Sequence, residues 1–194
     1  LPFNRLELIP IPNGFLRALD FFLQHPEQIA ARIVQGQDLA RLARMFASFA
    51  IVNAAIYGCA MGASNLLQGA PLLLWQKLAL IPMTGTKVPV LFLLTLVIVL
   101  PPIYVSNAFS GARLSFAQLS TAMLGALALA STLLASLATV AFFFSLTTID
   151  YHFIKLMHVL FFAWAGVSSL SWLGTLLGNL SPSRRATPLK LQVA

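Results

Sequence analysis

The chain has 194 residues, 12 of them Lys or Arg and 5 Asp or Glu, for a formal net charge of +7; only 9% are charged and 59% are hydrophobic. Mean hydropathy is +0.87, whereas a soluble domain carries roughly 25% charged and about 45–50% apolar residues. Between Phe46 and Leu180 the only charged side chains are Lys77, Lys87, Arg113, Asp150 and Lys155, too few to wet the surface of a soluble fold, so the composition predicts an all-α integral membrane protein.

Residues 1–44 read as an amphipathic membrane-surface segment. The opening LPFNRLELIPIPNG lacks the apolar core of a signal peptide. Phe15, Leu16, Leu19, Phe22 and Leu23 then fall at the spacing of one helical face. Pro26 suits a first helical position and Gly36 a stop. A third stretch starts near Asp38, with Arg41 and Arg44 at the membrane boundary. Short helices lying on the bilayer surface are expected here, the alternative being a small soluble subdomain packed on the loops.

Residues 45–180 read as a bundle of four transmembrane helices. The first span runs from about Met45 to Leu67, and on it Ala54, Gly58 and Gly62 repeat every four positions. Residues 69–85 are apolar but interrupted by Pro71, Lys77 and Pro82, which favours an interfacial or re-entrant segment with Trp75 and Lys77 at headgroup level. The second span starts near Val88. From there to Leu100 a helix covers only about 20 Å, short of the ~30 Å hydrocarbon core, so the span must continue through Pro101-Pro102 towards Asn107. A kink is expected there, because proline removes one backbone bond and clashes with the carbonyl four residues back. The freed carbonyls and Asn107 make this break a candidate polar cavity.

The third span, Phe116 to Leu146, is filled with Ala, Ser and Gly, and the fourth, Tyr151 to Leu177, leads through Gly174 and Gly178 to a basic polar tail at 181–194. Small residues four apart let helices approach closely, either within the bundle or against another chain. Asn53, Asn65 and Asn107 are candidates for interhelical hydrogen bonds. Four spans put both termini on one side. Nine basic residues fall on that side (Arg5, Arg17, Arg32, Arg41, Arg44, Arg113, Arg184, Arg185, Lys190) against Lys77, Lys87 and Lys155 on the other. The positive-inside rule then makes both termini cytoplasmic, in a bacterial inner membrane.

Few residues invite chemistry. His158 lies two turns into the fourth span and could ligate a haem or a pigment, although His152 falls largely on another face and His25 lies outside the spans; the plainer role is a hydrogen bond to a neighbouring helix. Asp150 and Lys155 could form a charge path, but Asp150 directly precedes a helix, where a carboxylate caps and favours the dipole. The single cysteine, Cys59, excludes an intramolecular disulfide, and the three histidines lack metal-ligand spacing. Phosphate loops, HExxH, GxSxG and paired carboxylates are missing from the sequence, so no enzyme is expected. The basic charge fits topology and anionic lipid, not nucleic acid. Phe142, Phe143, Phe144, Phe161, Phe162 and Trp164 read as lipid-facing surface.

Tyr57-Gly58 in the first span followed by KVPVLFLLTLVIVLPPIYVSN in the second resembles the small multi-spanning bacterial proteins of the Yip-like group, over residues 40–175. That resemblance implies a membrane scaffold or accessory protein without catalytic residues. Yip-type proteins usually have five spans, and Leu72–Ile81 would have to supply the fifth. The leading expectation is thus a non-catalytic accessory or scaffold subunit in contact with the bilayer, other membrane subunits or a second copy. A transporter or channel component using Pro101, Pro102 and Asn107, and a pigment- or haem-binding subunit using His158, are the alternatives.

Overall fold

The computed structural model describes residues 9–12, 14–68, 73–109, 114–148 and 150–178, with backbone alone at 64–68, 151 and 178. Among the described residues there are six α-helices and no strand: α1 (Phe15–Gln24), α2 (Pro26–Gln35), α3 (Leu39–Gln68), α4 (Leu74–Phe109), α5 (Phe116–Thr147) and α6 (Tyr151–Gly178). Four of them, α3 to α6, are long and apolar enough to cross a membrane.

Local signals place several ends. Pro26 occupies the first turn of α2, and Gly36 closes it in the left-handed conformation at φ 70°, where a Cβ would be strained. Ser115 and Gln118 form a reciprocal capping box at the start of α5, satisfying two N–H groups the helix cannot bond itself. The Gln118 Nε2 also donates to the Ile33 and Val34 carbonyls at the end of α2. One side chain therefore caps α5 and docks α2 on it. Gln118→Ala is expected to lower stability by about 1–2 kcal/mol, the scale of a lost cap plus unsatisfied carbonyls; an unchanged denaturation midpoint in detergent would remove Gln118 from this role.

In the bundle, α3 and α5 form the centre, α4 packs on α3, and α6 packs on α5. The pairings give the directions. Asn53 meets Thr132 and Phe46 lies beside Gly125, so α3 and α5 run parallel. Gly58 lies against Thr84 and Gly62 against Ile81, so α4 returns antiparallel to α3. Phe144 lies beside Phe153 and Gly125 beside Trp172, so α6 is antiparallel to α5.

Two boundaries differ from the sequence reading. Residues 74–85 do not form an element of their own: they are the first third of α4, a single helix of 36 residues that continues through Pro82, Pro89, Pro101 and Pro102. The reason is tertiary. Ile81, Thr84 and Gly85 are held against the glycines of α3, and that packing outweighs the local backbone bonds each proline removes. At about 54 Å, α4 exceeds the ~30 Å hydrocarbon thickness. Residues 69–72 of the 69–85 segment lie outside the described residues, as does the tail at 181–194.

The second difference concerns residue 44, across which one apolar cluster continues. Ile11, Ala18, Phe21, Phe22, Ile29 and Ile33 from the N-terminal part join Phe46, Phe49, Leu119 and Leu173. Phe22 alone touches Phe46, Phe49 and Trp172. The α1–α2 pair is thus packed on the helices themselves at one end of the bundle. Arg32 is buried there; its guanidinium donates to the Ile9 carbonyl and lies 3.6 Å from the Asp38 carboxylate.

Candidate functional site: polar contacts between the helices

On α3, Leu42, Phe46, Phe49, Ala50, Asn53, Ala54 and Tyr57 are all buried, the three-and-four spacing of one helical face. That face brings two polar side chains inside. The Asn53 Nδ2 donates to Thr132 Oγ1 on α5 at 2.9 Å, and Thr132 in turn donates to the Ala128 carbonyl. Ser131 contributes a longer bond, 3.4 Å, to the Phe49 carbonyl. These contacts tie α3 to α5, as the sequence suggested for Asn53. Asn65 has no described side chain, and Asn107 is half-buried near the end of α4.

One turn along α3 from Asn53, the Tyr57 hydroxyl lies 2.6 Å from His158 Nδ1 on α6. The rings are perpendicular, with centroids 5.7 Å apart, and the Phe162 ring also packs perpendicular to Tyr57, at 5.4 Å. His158 is 6% exposed, and its Nε2 is covered by protein without a hydrogen-bond partner. Two arrangements satisfy the short bond. If Tyr57 donates, Nε2 carries the imidazole proton; if Nδ1 donates, Nε2 keeps a lone pair. Either way one buried polar atom is left without a partner, beside an apolar cluster that includes Tyr57 itself, a costly condition in a low-dielectric interior.

This geometry bears on His158 as a pigment or haem ligand. Axial ligation needs an Nε2 lone pair facing an open gap wide enough for a macrocycle, whereas Nε2 here is closed over by the bundle. No second histidine approaches it. His152 is exposed at the start of α6, beside Asp150, and His25 stacks on Phe21 between α1 and α2. Among the described residues no cluster of three or more His, Cys, Asp or Glu could hold a metal.

The other expected residues separate into distinct places. Asp150 accepts a 2.8 Å bond from the His152 backbone N–H, the cap that its position before α6 predicts. With Lys155 it borders an open groove that includes His152, Phe153, Leu156 and Val159. Both charges are exposed, so they lie at the bundle surface and do not enter it. Pro101 and Pro102 are exposed on α4, and the neighbours that pack inward are Leu96, Val99, Leu100 and Ile103. The proline pair therefore lines the outside of the bundle, not a cavity within it.

The small-residue faces also divide. Ala54 is fully buried. A Cβ at Gly58 would stand 2.6 Å from the Thr84 carbonyl oxygen, and one at Gly62 would stand 2.9 Å from Ile81 Cα. This face is consumed within the chain, against α4. Gly174 has nothing within 4 Å of such a Cβ, and Gly178 ends α6. Tyr57 is the residue whose role the sequence reading missed, although its spacing from Asn53 places it on the same inward face.

No protein-family model, curated protein or solved structure matches the chain.

Proposed function

We propose that the chain is a non-catalytic membrane subunit, an accessory or scaffold component that joins a partner helix through the outer face of α6. The observation that supports this reading is how the small residues divide. The glycines of α3 and Gly85 of α4 are spent on each other, and Asn53, Thr132, Tyr57 and His158 are spent on joining helices. On α6, by contrast, Ala163 and Gly174 are exposed beside Leu160, Trp164, Val167 and Leu170. Small residues among large ones give another helix a close approach in lipid. The outer face of α4 presents Leu91, Leu94, Val97, Ile98 and Val105 with no Gly or Ala between Leu91 and Val105, which suits lipid chains.

The proposed setting is a bacterial inner membrane, with both termini and the α1–α2 end on the cytoplasmic side. The nine-to-three distribution of basic residues along the sequence supports that orientation. The resemblance to Yip-type proteins points the same way, towards a scaffold.

The test is the mass and composition of the native particle extracted gently from its own membranes, before and after Gly174→Leu. Other polypeptides at fixed stoichiometry, lost in the variant while the helical content is kept, are the expected result. A small multiple of 21.0 kDa that the variant splits would make a second copy the partner. A single chain in both preparations would overturn the subunit reading.

A further inference from the structure

Two short helices sit side by side at one end of the bundle, yet they meet their surroundings differently. In α2 every residue from Gln28 to Ile33 is buried, so that helix is enclosed by protein. In α1 only Ala18, Phe21 and Phe22 are buried. At about 3.6 residues per turn, the rest of α1 divides into two sectors. Phe15, Leu16, Leu19 and Leu23 adjoin one another on one side, and Arg17, Asp20 and Gln24 on the other. Leu16 is 76% exposed, Leu23 47% and Phe15 38%.

A helix packed on a protein and otherwise facing water needs two faces, one apolar and one polar. Three sectors, with the exposed half itself split into apolar and polar parts, fit a helix bounded by protein, lipid and water at once.

Depth is consistent with that arrangement once Arg44 is set at the phosphate level. The Phe15 ring packs edge-on against Phe49 of α3 at a centroid distance of 5.0 Å. Phe49 follows Arg44, an exposed cation, by five residues, or about 7.5 Å along the helix axis. With Arg44 at the lipid phosphates, the start of α1 falls within the roughly 5–10 Å to which interfacial helices sink into the headgroup–acyl boundary. Arg41 adds a second cation at the entry to α1, where it bonds the Ile11 carbonyl at 3.3 Å.

We infer that α1 is an interfacial helix that seats Phe15, Leu16 and Leu23 among phospholipid acyl chains, with Arg17, Arg41 and Arg44 at the phosphates, and that α2 is the protein-facing plug behind it. This rests on the membrane-spanning placement of α3 to α6 and assigns the lipid contact to one of the two N-terminal helices.

Site-directed spin labelling of the full chain tests it. In a Cys59→Ala background, single cysteines replace Leu16, Leu23 or Gln24, with Leu91→Cys as a reference on the lipid-facing side of α4. Each protein is reconstituted in phosphatidylcholine–phosphatidylglycerol vesicles, and collision rates with oxygen and with a water-soluble nickel chelate are compared. Labels at 16 and 23 are expected to favour oxygen several-fold more than the label at 24, approaching the ratio at 91. Labels at 16 and 23 that favour nickel would put α1 in water, and labels shielded from both reagents would mean a protein partner or a second copy covers it; either overturns the inference. A nickel-accessible label at 91 would instead overturn the membrane placement on which it rests.

Discussion

Replacing Gly58 by leucine is expected to break the fold, not to detach a partner. The first atom of any side chain there would lie 2.6 Å from the Thr84 carbonyl oxygen and 3.0 Å from Gly85 Cα. Both are backbone, so no rotamer change relieves the contact and α4 itself must move. The neighbouring crossing leaves no slack, because a Cβ at Gly62 would meet Ile81 Cα at 2.9 Å and the Leu80 carbonyl at 3.0 Å. From the other side, a Cβ at Gly85 would stand 2.6 Å from Cys59 Sγ. Overpacking a filled interior costs about 1–3 kcal/mol where side chains can shift, and a rigid helix–helix contact puts Gly58→Leu at or above the top of that range. Even Gly58→Ala should be measurable.

The readout is the unfolding midpoint in mixed dodecylmaltoside–SDS micelles, with Gly174→Leu as the comparison. Gly174 stands in open space, so that variant should keep its midpoint within about 0.5 kcal/mol, as surface changes do. Equal midpoints for Gly58→Leu and the parent would contradict the α3–α4 crossing.

That contrast also shows where sequence reading stops. Periodicity marked Gly58, Gly62 and Gly174 alike as small-residue faces, because spacing along one helix carries no information about what lies across from it. The spans were legible because each is a long apolar run, and so were Pro26, Gly36 and Asp150, whose roles depend on neighbours a few residues away. The start of α4 was not. Pro82 is a local signal against a continuous helix and Lys77 against a membrane span, and they are overruled by Gly58 and Gly62, which are distant in sequence but adjacent in space. The α1–α2 pair shows the same limit: α1 was recognisable as amphipathic, but the burial of α2 from Gln28 to Ile33 depends on Phe22, Leu119 and Leu173 converging from three other helices.

The Tyr57–His158 bond joins residues 101 positions apart, and its strength can be separated from its cost by a double-mutant cycle. Tyr57→Phe keeps the ring that packs on Phe162 but leaves His158 with neither nitrogen bonded. Interhelical hydrogen bonds within membranes average about 0.6 kcal/mol and reach about 1.7. A short bond whose loss strands a buried imidazole belongs at the upper end, so Tyr57→Phe should cost about 1–2 kcal/mol. His158→Leu also deletes Nε2, the atom that already lacks a partner, and strands only the Tyr57 hydroxyl; its cost should be smaller. The double variant removes both polar groups, which tends towards neutrality when shape is kept, so it should be no less stable than Tyr57→Phe alone. Independent, additive losses would mean that the bond carries no coupling between α3 and α6. A double variant as stable as the parent would show instead that the polar pair is not required for folding, and that His158 occupies the interior for a reason other than stability.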